Sequence, residues 1–270
     1  METPDLLFII INYFNEDEVI DFINHLALQN FRNYKVIVVN NGSNNSDKLN
    51  ESLLSFTEVN IYHSGRNPGY YPAAHNGLKS YLEEYKTYPG HIIVCNTDIT
   101  IPNVNFLNEL IKSSGDVKGP SIISSKTQLD QNPFLKERIS KFRLRFLHIV
   151  FSFYPFYFFY QLLAIVKGKL NISSSIKSKK DQQVYALHGS FIAFNKSYFE
   201  KGGNLDYPSF LFGEELFIAE TARNLKLEMN YLPSINIMHN EHTVTGLFKK
   251  PKLVKYMAQS IKYLLNSFFK

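Results

Sequence analysis

Tryptophan is absent from this chain of 270 residues, and cysteine occurs once, as Cys95. A single thiol excludes an internal disulfide framework and fits a reducing compartment. The first residues carry no basic n-region and Leu6–Ile11 is too short for an h-region, so no secretory signal is expected and the cytoplasm is the expected compartment. No GxGxxG follows the first apolar run, which argues against a dinucleotide fold. No GxxxxGK[ST] occurs either, which argues against a P-loop NTPase. Acid is scarce in one window: Lys136 to Lys180 holds ten of the 29 Lys and Arg but one of the 24 acids, Glu137. That window is +9 and the remainder is −4. A basic stripe in an otherwise mildly acidic protein suggests an anionic partner, nucleic acid or lipid headgroups.

Hydrophobic residues make up 44% and charged residues 20%, the balance of a globular protein with a real core. The length suffices for one large α/β domain or two small ones. Leu6–Ile11 is a continuous apolar run, as expected of a central parallel strand. After Asn12-Tyr13-Phe14, Asn15 and Glu18 make a capping-box-like start for a helix burying Ile20, Ile23, Leu26 and Ala27. Lys35–Val39 reads as a second strand, and the polar run Asn40–Asp47 opens a short helix around Leu49–Leu54. Val59–Tyr62 is a third strand; Gly65-Arg66-Asn67-Pro68-Gly69 then leads to a helix over Ala73–Tyr81. His91–Cys95 is a fourth strand, running into Asn96-Thr97-Asp98.

Strand and helix alternating at this spacing predict a doubly wound, mostly parallel sheet. Right-handed crossovers put the strands' carboxyl ends on one edge, lined by Asn12, Asn40, Asn67 and Asp98. A carboxylate at the exit of a buried strand is costly without compensation. A divalent cation bridging a diphosphate would supply it, because hard cations take carboxylate and phosphate oxygens. A turn or helix cap is the plainer alternative, since Asn, Thr and Asp are all turn formers.

In this order, Phe8–Asn15, Val38–Ser43, Asn67-Pro68-Gly69 with Asn76-Gly77, and Asn96-Thr97-Asp98 resemble the signature of the family 2 glycosyltransferases, and within it the bacterial rhamnosyltransferase-like members. The resemblance resumes at His188-Gly189-Ser190-Phe191 and continues through Phe210-Leu211-Phe212-Gly213-Glu214-Glu215, Arg223, Pro233 and His239, covering roughly residues 6–125 and 184–246. It implies a GT-A (Rossmann-like) fold, a nucleotide-diphosphate sugar donor, Mg²⁺ or Mn²⁺, and inversion at the anomeric carbon. It also implies Asp98 and His239 as metal ligands, with His242 as a competitor to the histidine. Asn12, Asn15, Asn40, Asn41, Arg66, Asn67, Gly69, Asn76 and Asn96 fall on the donor side, and His188, Gly189 and Ser190 on the acceptor side. Glu215 stands as the catalytic base, with Glu214 beside it and Arg223 as a pairing candidate. Asn40 departs from the aspartate that usually reads the base, and Phe217 from a further acid.

Phe146–Val166 is 21 residues without a formal charge, and nine of the fifteen from Phe146 to Tyr160 are aromatic. Its length could cross a bilayer, but Pro155 and the aromatic excess point to an interfacial hairpin or amphipathic pair. Arg138, Lys141, Arg143, Arg145, Lys167 and Lys169 would then meet anionic headgroups. A buried pair covering the sheet is the alternative. In the tail, Leu253, Tyr256, Met257, Ile261, Leu264 and Phe268 recur at helical spacing, with six lysines after Gly246 and no acidic partner for them. This reads as a core-capping helix or a second membrane contact. Nucleic acid is not expected, because the aromatics form a block instead of interleaving with the charges.

The expected whole is one domain, 1–270. It comprises a nucleotide-sugar half at 1–125, a basic-aromatic helical insert at 134–182, an acceptor and catalytic half at 184–246, and an amphipathic C-terminal helix at 247–270. The expected task is sugar transfer to a lipid-linked or polysaccharide acceptor in envelope glycan assembly, peripheral on the inner face of the cell membrane. A sugar-nucleotide nucleotidyltransferase would need a Gly-rich phosphate loop and a lysine near the N-terminus, and neither is present. A peripheral membrane module with a degenerate donor site is the non-enzymatic rival.

Overall fold

The computed structural model describes residues 3–42, 46–170, 180–241 and 248–270. In chain order the elements are β1 (Leu6–Asn12), α1 (Glu16–Leu26), β2 (Tyr34–Asn40), α2 (Ser46–Leu53), β3 (Val59–His63), α3 (Tyr70–Tyr85), β4 (His91–Cys95), β5 (Ile99–Thr100) and α4 (Phe106–Lys112). They continue with β6 (Val117–Ser124), α5 (Lys141–Ser152), α6 (Tyr154–Leu170), β7 (Gln182–Gln183), β8 (Phe191–Asn195), α7 (Lys196–Glu200), α8 (Glu214–Asn224), β9 (Met229–His239) and α9 (Pro251–Phe268).

These strands form one sheet in the order β3-β2-β1-β4-β8-β6-β9-β5, with β7 on β9. The long pairings among β1, β2, β3 and β4, and that of β6 with β9, are parallel. The short β5, β7 and β8 join them antiparallel. Alternation along β1 splits the core in two. Leu7 and Ile9 pack with Ile37, Val39, Ile92 and Val94 under α3 and α8. Leu6, Phe8 and Ile10 pack with Val36, Val38 and Ile93 under α1, α2 and α4. A strand buried on both faces has no room for polar residues until its end, which is why the sequence turns polar at Asn12 and Asn40.

Four local expectations change. Asn15 stands at the N-cap of α1, but its side chain caps nothing. Instead the Asn15 N–H donates to Asn12 Oδ1 at 3.0 Å, and Asn15 Nδ2 donates to Glu18 Oε2 at 3.1 Å. In α1 the inward stripe is Val19, Phe22, Ile23 and Leu26, with Ile20 and Ala27 only partly covered. In α9 the buried face runs through Val254, Ala258, Ile261 and Leu264, with Leu253, Tyr256 and Met257 at its margin, so the helix caps the core. The insert is neither wholly buried nor wholly interfacial. Leu144, Val150, Phe151 and Tyr157 join the core, while Phe142, Phe146, Ile149 and Phe153 stay exposed.

No single helix among the described residues is long and apolar enough to cross a membrane. The α5–α6 pair passes that test only as a unit bent by 117°, with Pro155 in the first turn of α6, where proline is tolerated. The side chains of Lys167 and Lys169, and all of Ser43 and His242, lie outside the described residues.

Candidate active site

At the carboxyl edge of the parallel strands lies a cavity of about 760 Å³. Asn15, Asn41, Asn67, Gly69, Asn96, Asp98 and His239 line it together. Sequence reasoning missed Tyr13, Lys126, Lys252 and Tyr256 on the same wall. Tyr13 was legible from its place in the turn after β1; the α9 residues were not, because nothing in the sequence says that α9 reaches this edge.

Asp98 and His239 meet because of strand register. Ile99 of β5 pairs with His239 of β9, and the Asn240 N–H donates to the Asp98 carbonyl at 2.8 Å. This brings Asp98 Oδ1 to 3.3 Å from His239 Nε2. Burial works against the Asp98 charge, but His239 and the Asn96 side chain outweigh it and hold the carboxyl below its usual range. On its other side, His239 Nδ1 lies 2.7 Å from Gln131 Oε1. Gln131 is turned by Glu241, whose Oε1 accepts from Gln131 Nε2 at 2.6 Å and whose Oε2 accepts from Ser124 Oγ at 2.7 Å. Gln131 Oε1 therefore accepts from Nδ1–H, and a neutral imidazole directs its Nε2 lone pair at the carboxylate. Either a proton on Nε2 or a cation between the two atoms satisfies them.

Asp98 Oδ1 is buried and makes no well-formed hydrogen bond, its neighbour being His239 Nε2 at 3.3 Å, and Asn41 Oδ1, of another residue lining the same cavity, is buried with no partner at all. One carboxylate oxygen and one imidazole nitrogen fit a divalent cation that takes its remaining ligands from a diphosphate and water. Among the described residues there is no cluster of three or more His, Cys, Asp or Glu side chains that would bind a metal unaided. The loop holding the cavity is tightly built: Asn67 Oδ1 accepts from Asn41 Nδ2 at 2.7 Å and from the Gly69 N–H at 2.9 Å. Gly69 has φ +112°, and a Cβ there would overlap the backbone of Phe210. The close approach that requires glycine is thus to the chain's own 210 segment.

Other residues expected on the donor side stand back. Asn12 and Asn40 are buried and bonded to each other at 3.2 Å. Asn76 lies on α3 and Arg66 is exposed in its loop, both off the cavity wall.

The acid pair opens α8. Phe212 and Gly213 are consecutive left-handed residues, at φ 70° and 82°. A Cβ on Gly213 would collide with Ser260 Oγ and lie 2.8 Å from the Tyr207 hydroxyl. The turn places Glu214 and Glu215 in the first turn of α8, where the helix N-terminus favours negative charge. Burial nevertheless pushes both carboxyls up, and the charge of Glu215 lifts Glu214 further, to about 8. Glu214 Oε2 has no hydrogen-bond partner, whereas the Gly189 backbone helps to hold Glu215 ionised. Glu215 is therefore the acid of the two whose charge the backbone compensates better.

His188, Gly189 and Ser190, expected on the acceptor side, do not line the strand-end cavity but neighbour both its His239 and the acid pair. Gly189 packs on Glu215, and the His188 ring lies 5.9 Å from that of His239. Burial, then the neighbouring His239, lowers His188 to about 4, and its Nδ1 accepts from the Ser190 N–H at 3.2 Å. Neither acid of the pair lines the strand-end cavity; Glu215 lines a second cavity, of about 800 Å³, walled by Leu144, Leu147, Phe151, Met257, Ile261 and Leu264 together with Lys136, Glu137, Arg138 and Arg143. Arg223 does not pair with either acid of the turn. It lies 3.6 Å from the buried Glu220, which Arg138 also binds, at 2.6 and 2.9 Å. Arg138, itself exposed, is thus held by an ion pair to the buried Glu220. Phe217, in the place of a further acid, packs on Tyr207.

Known structures share this fold. GalNAc-T7, solved with UDP, GalNAc and Mn²⁺, superposes with a TM-score of 0.62 at 13% identity, over 97% of this chain and 48% of its own. TarS 1-349 of S. aureus gives 0.54 at 13% over 87% and 60%. The mannosyltransferase PcManGT of Pyrobaculum calidifontis, solved with GDP-Man and Mn²⁺, gives 0.53 at 12% over 98% and 72%. At these identities the likeness shows the fold, and the chain spans only about half the length of the first of them. No curated protein matches the chain. The family model described as glycosyl transferase family 2 matches residues 8–203, and with a GT-A sheet whose strand ends carry the polar cavity, the chain belongs to that family.

Proposed function

We propose that this protein is a metal-dependent, inverting glycosyltransferase that moves a hexose, rhamnose-like or other, from a nucleotide-diphosphate donor to a lipid-linked or polysaccharide acceptor. The observation that carries this reading is a pair of buried, undersatisfied acceptors on the strand-end cavity: Asp98 Oδ1, met by His239 Nε2 at 3.3 Å, and Asn41 Oδ1, which has no partner. One asks for a cation, the other for an N–H or O–H of a nucleoside. Asp98 and His239 would hold Mg²⁺ or Mn²⁺, which supplies charge neutralisation on the departing diphosphate. The exposed ring of Tyr13 offers a stacking face at the same wall. Glu215 takes the proton of the acceptor hydroxyl as its oxygen attacks the anomeric carbon and the bond to the diphosphate oxygen breaks. A carboxyl raised by burial is a stronger base for that step. The apolar cavity behind Glu215 suits the lipid portion of an acceptor.

The same reading places the protein peripherally on the inner face of the cell membrane. Phe142, Phe146 and Ile149 form one exposed stripe on α5, with Phe153 just after it, and Phe156, Phe159, Leu163 and Val166 form another on α6. Phe142 is 82% and Leu163 70% exposed, and stripes of this kind mark an interaction surface.

Calorimetric titration with UDP, GDP and dTDP sugars, with and without Mn²⁺, tests the donor side. Asp98→Asn is expected to abolish metal-dependent donor binding at an unchanged melting temperature; unchanged Mn²⁺-dependent binding removes the assignment. Glu215→Gln is expected to keep donor affinity while turnover falls by roughly 10²–10⁴. Near-normal turnover there, with loss in Glu214→Gln, moves the base one residue back.

A further inference from the structure

Between α5 and α9 runs a seam that neither cavity of the active site uses. On α5, Lys141, Arg145 and His148 recur at i, i+4 and i+7, and on α9 Lys255 and Lys262 share one face. Two clefts lie along this seam, of about 370 and 570 Å³, and His148 lines both. Neither cleft is lined by an acidic residue, and neither helix contains one. A merely solvated face usually mixes both signs, which lets charges on packed helices offset one another. Here each cleft gathers one sign: Lys255 and Lys262 beside His148 in the smaller, and Lys141, Arg145 and Lys270 beside His148 in the larger, a positive lining that favours an anion. His148 Nδ1 is buried in the seam and has no hydrogen-bond partner.

The chemistry that satisfies these groups is a phosphate, which accepts several charge-assisted hydrogen bonds at once. Its source follows from the neighbouring face of α5. The exposed stripe Phe142, Phe146 and Ile149 begins one residue along from the basic one. A helix lying in the bilayer boundary on that stripe would carry the seam at headgroup level. We propose that the α5–α9 seam binds the phosphate of an anionic phospholipid headgroup. This names a site and a ligand beyond the membrane contact proposed above, and rests on that contact for the source of the phosphate.

The test is co-sedimentation with vesicles of phosphatidylcholine, alone or mixed with phosphatidylglycerol. Arg145→Glu/Lys262→Glu is expected to weaken binding to the mixed vesicles by at least about tenfold, since each surface cation contributes about 1 kcal/mol there. Lys79→Glu/Lys112→Glu, a reversal of equal net charge on α3 and α4, is expected to stay within about twofold at a protein–lipid spacing beyond the screening length. Wild-type binding by the seam variant, or an equal loss in the control, overturns the proposal. Loss of binding in Phe142→Ser/Phe146→Ser together with wild-type binding in the seam variant would keep the membrane reading and remove the seam. Inorganic phosphate at constant ionic strength is expected to leave the wild-type melting temperature unchanged. A rise that the seam variant abolishes would reassign the site to free phosphate. Unchanged circular dichroism and donor binding confirm that the variants are folded.

Discussion

Residue by residue, the active site shows what strand alternation decides. Asn12, at the end of β1, is turned inward, so it spends its amide on Asn40 and its carbonyl on the Asn15 N–H. Asn41, one position beyond β2, reaches the cavity instead. A sequence marks where a strand ends but not which of two neighbouring asparagines faces the ligand, since a one-residue change of register exchanges them. Asp98 was legible because a carboxylate after a buried strand needs a reason. Gln131 and Glu241 were not, because the contact that gives them meaning joins residues 108 apart through His239. Glu214 carries a prediction of its own. Its folded carboxyl is raised to about 8 by burial and by Glu215, so the folded state holds a proton that the unfolded state has already released above its ordinary range, near 4.5. The stability this represents is present below that range and is lost as pH rises toward 8. Glu214→Gln is expected to raise stability at pH 8 by more than about 1 kcal/mol and to change it little at pH 4. Denaturant titrations at the two pH values check this, and equal effects at both would contradict it.

Among the elements, α5 is the instructive one. It presents a core face through Leu144 and Phe151, an aromatic face through Phe142 and Phe146, and a basic face through Lys141 and Arg145. Two of those faces are apolar, so periodicity alone cannot choose which is buried; the choice is made by α9, more than 100 residues later in the chain. The segment before α5 is anchored by Arg138, which bridges to Glu220 on α8 and stacks over the ring of Phe269 at 4.3 Å. Glu220 is fully buried and also accepts from the Tyr185 hydroxyl at 2.6 Å. Arg138 is partly exposed, which weakens the pair relative to a fully buried one. Arg138→Leu is expected to cost about 1–3 kcal/mol, mostly by leaving the buried carboxylate undercompensated. In Arg138→Leu/Glu220→Gln most of that loss should return. Chemical denaturation of the four proteins in the cycle measures the coupling, and additive losses would mean that the ion pair contributes nothing.

At the level of the whole molecule, the family-matched stretch and the working site do not coincide. Residues 8–203 supply nearly all of the parallel strands β1 to β4, Asp98 and the four asparagines that line the cavity. The acid turn, His239 and α9 all lie beyond that stretch. The helix α9 joins these parts. Lys252, Leu253 and Tyr256 wall the strand-end cavity, and Ser260 bonds the Tyr207 hydroxyl at 2.6 Å beside Gly213. Met257 and Ile261 wall the cavity behind Glu215, while Lys255 and Lys262 face α5. Removing residues 251–270 would therefore affect donor binding, the acid turn and the insert together. Val254, Ile261 and Leu264 are buried by α9, and burying such side chains contributes about 1.5–3 kcal/mol each. Their sum, roughly 5–9 kcal/mol, is comparable with the whole stability of a typical domain, about 5–15 kcal/mol. The loss also removes the helix that packs on α5, whose Leu144 and Phe151 belong to the same core cluster as Val254, Ile261 and Leu264. The truncated chain is expected to lose its cooperative thermal transition, or to melt at least about 10 °C lower, and to lose donor binding and turnover together. A truncated protein that melts like the full chain and binds donor with unchanged affinity, losing only vesicle binding, would show that α9 is an appendage to a domain complete without it.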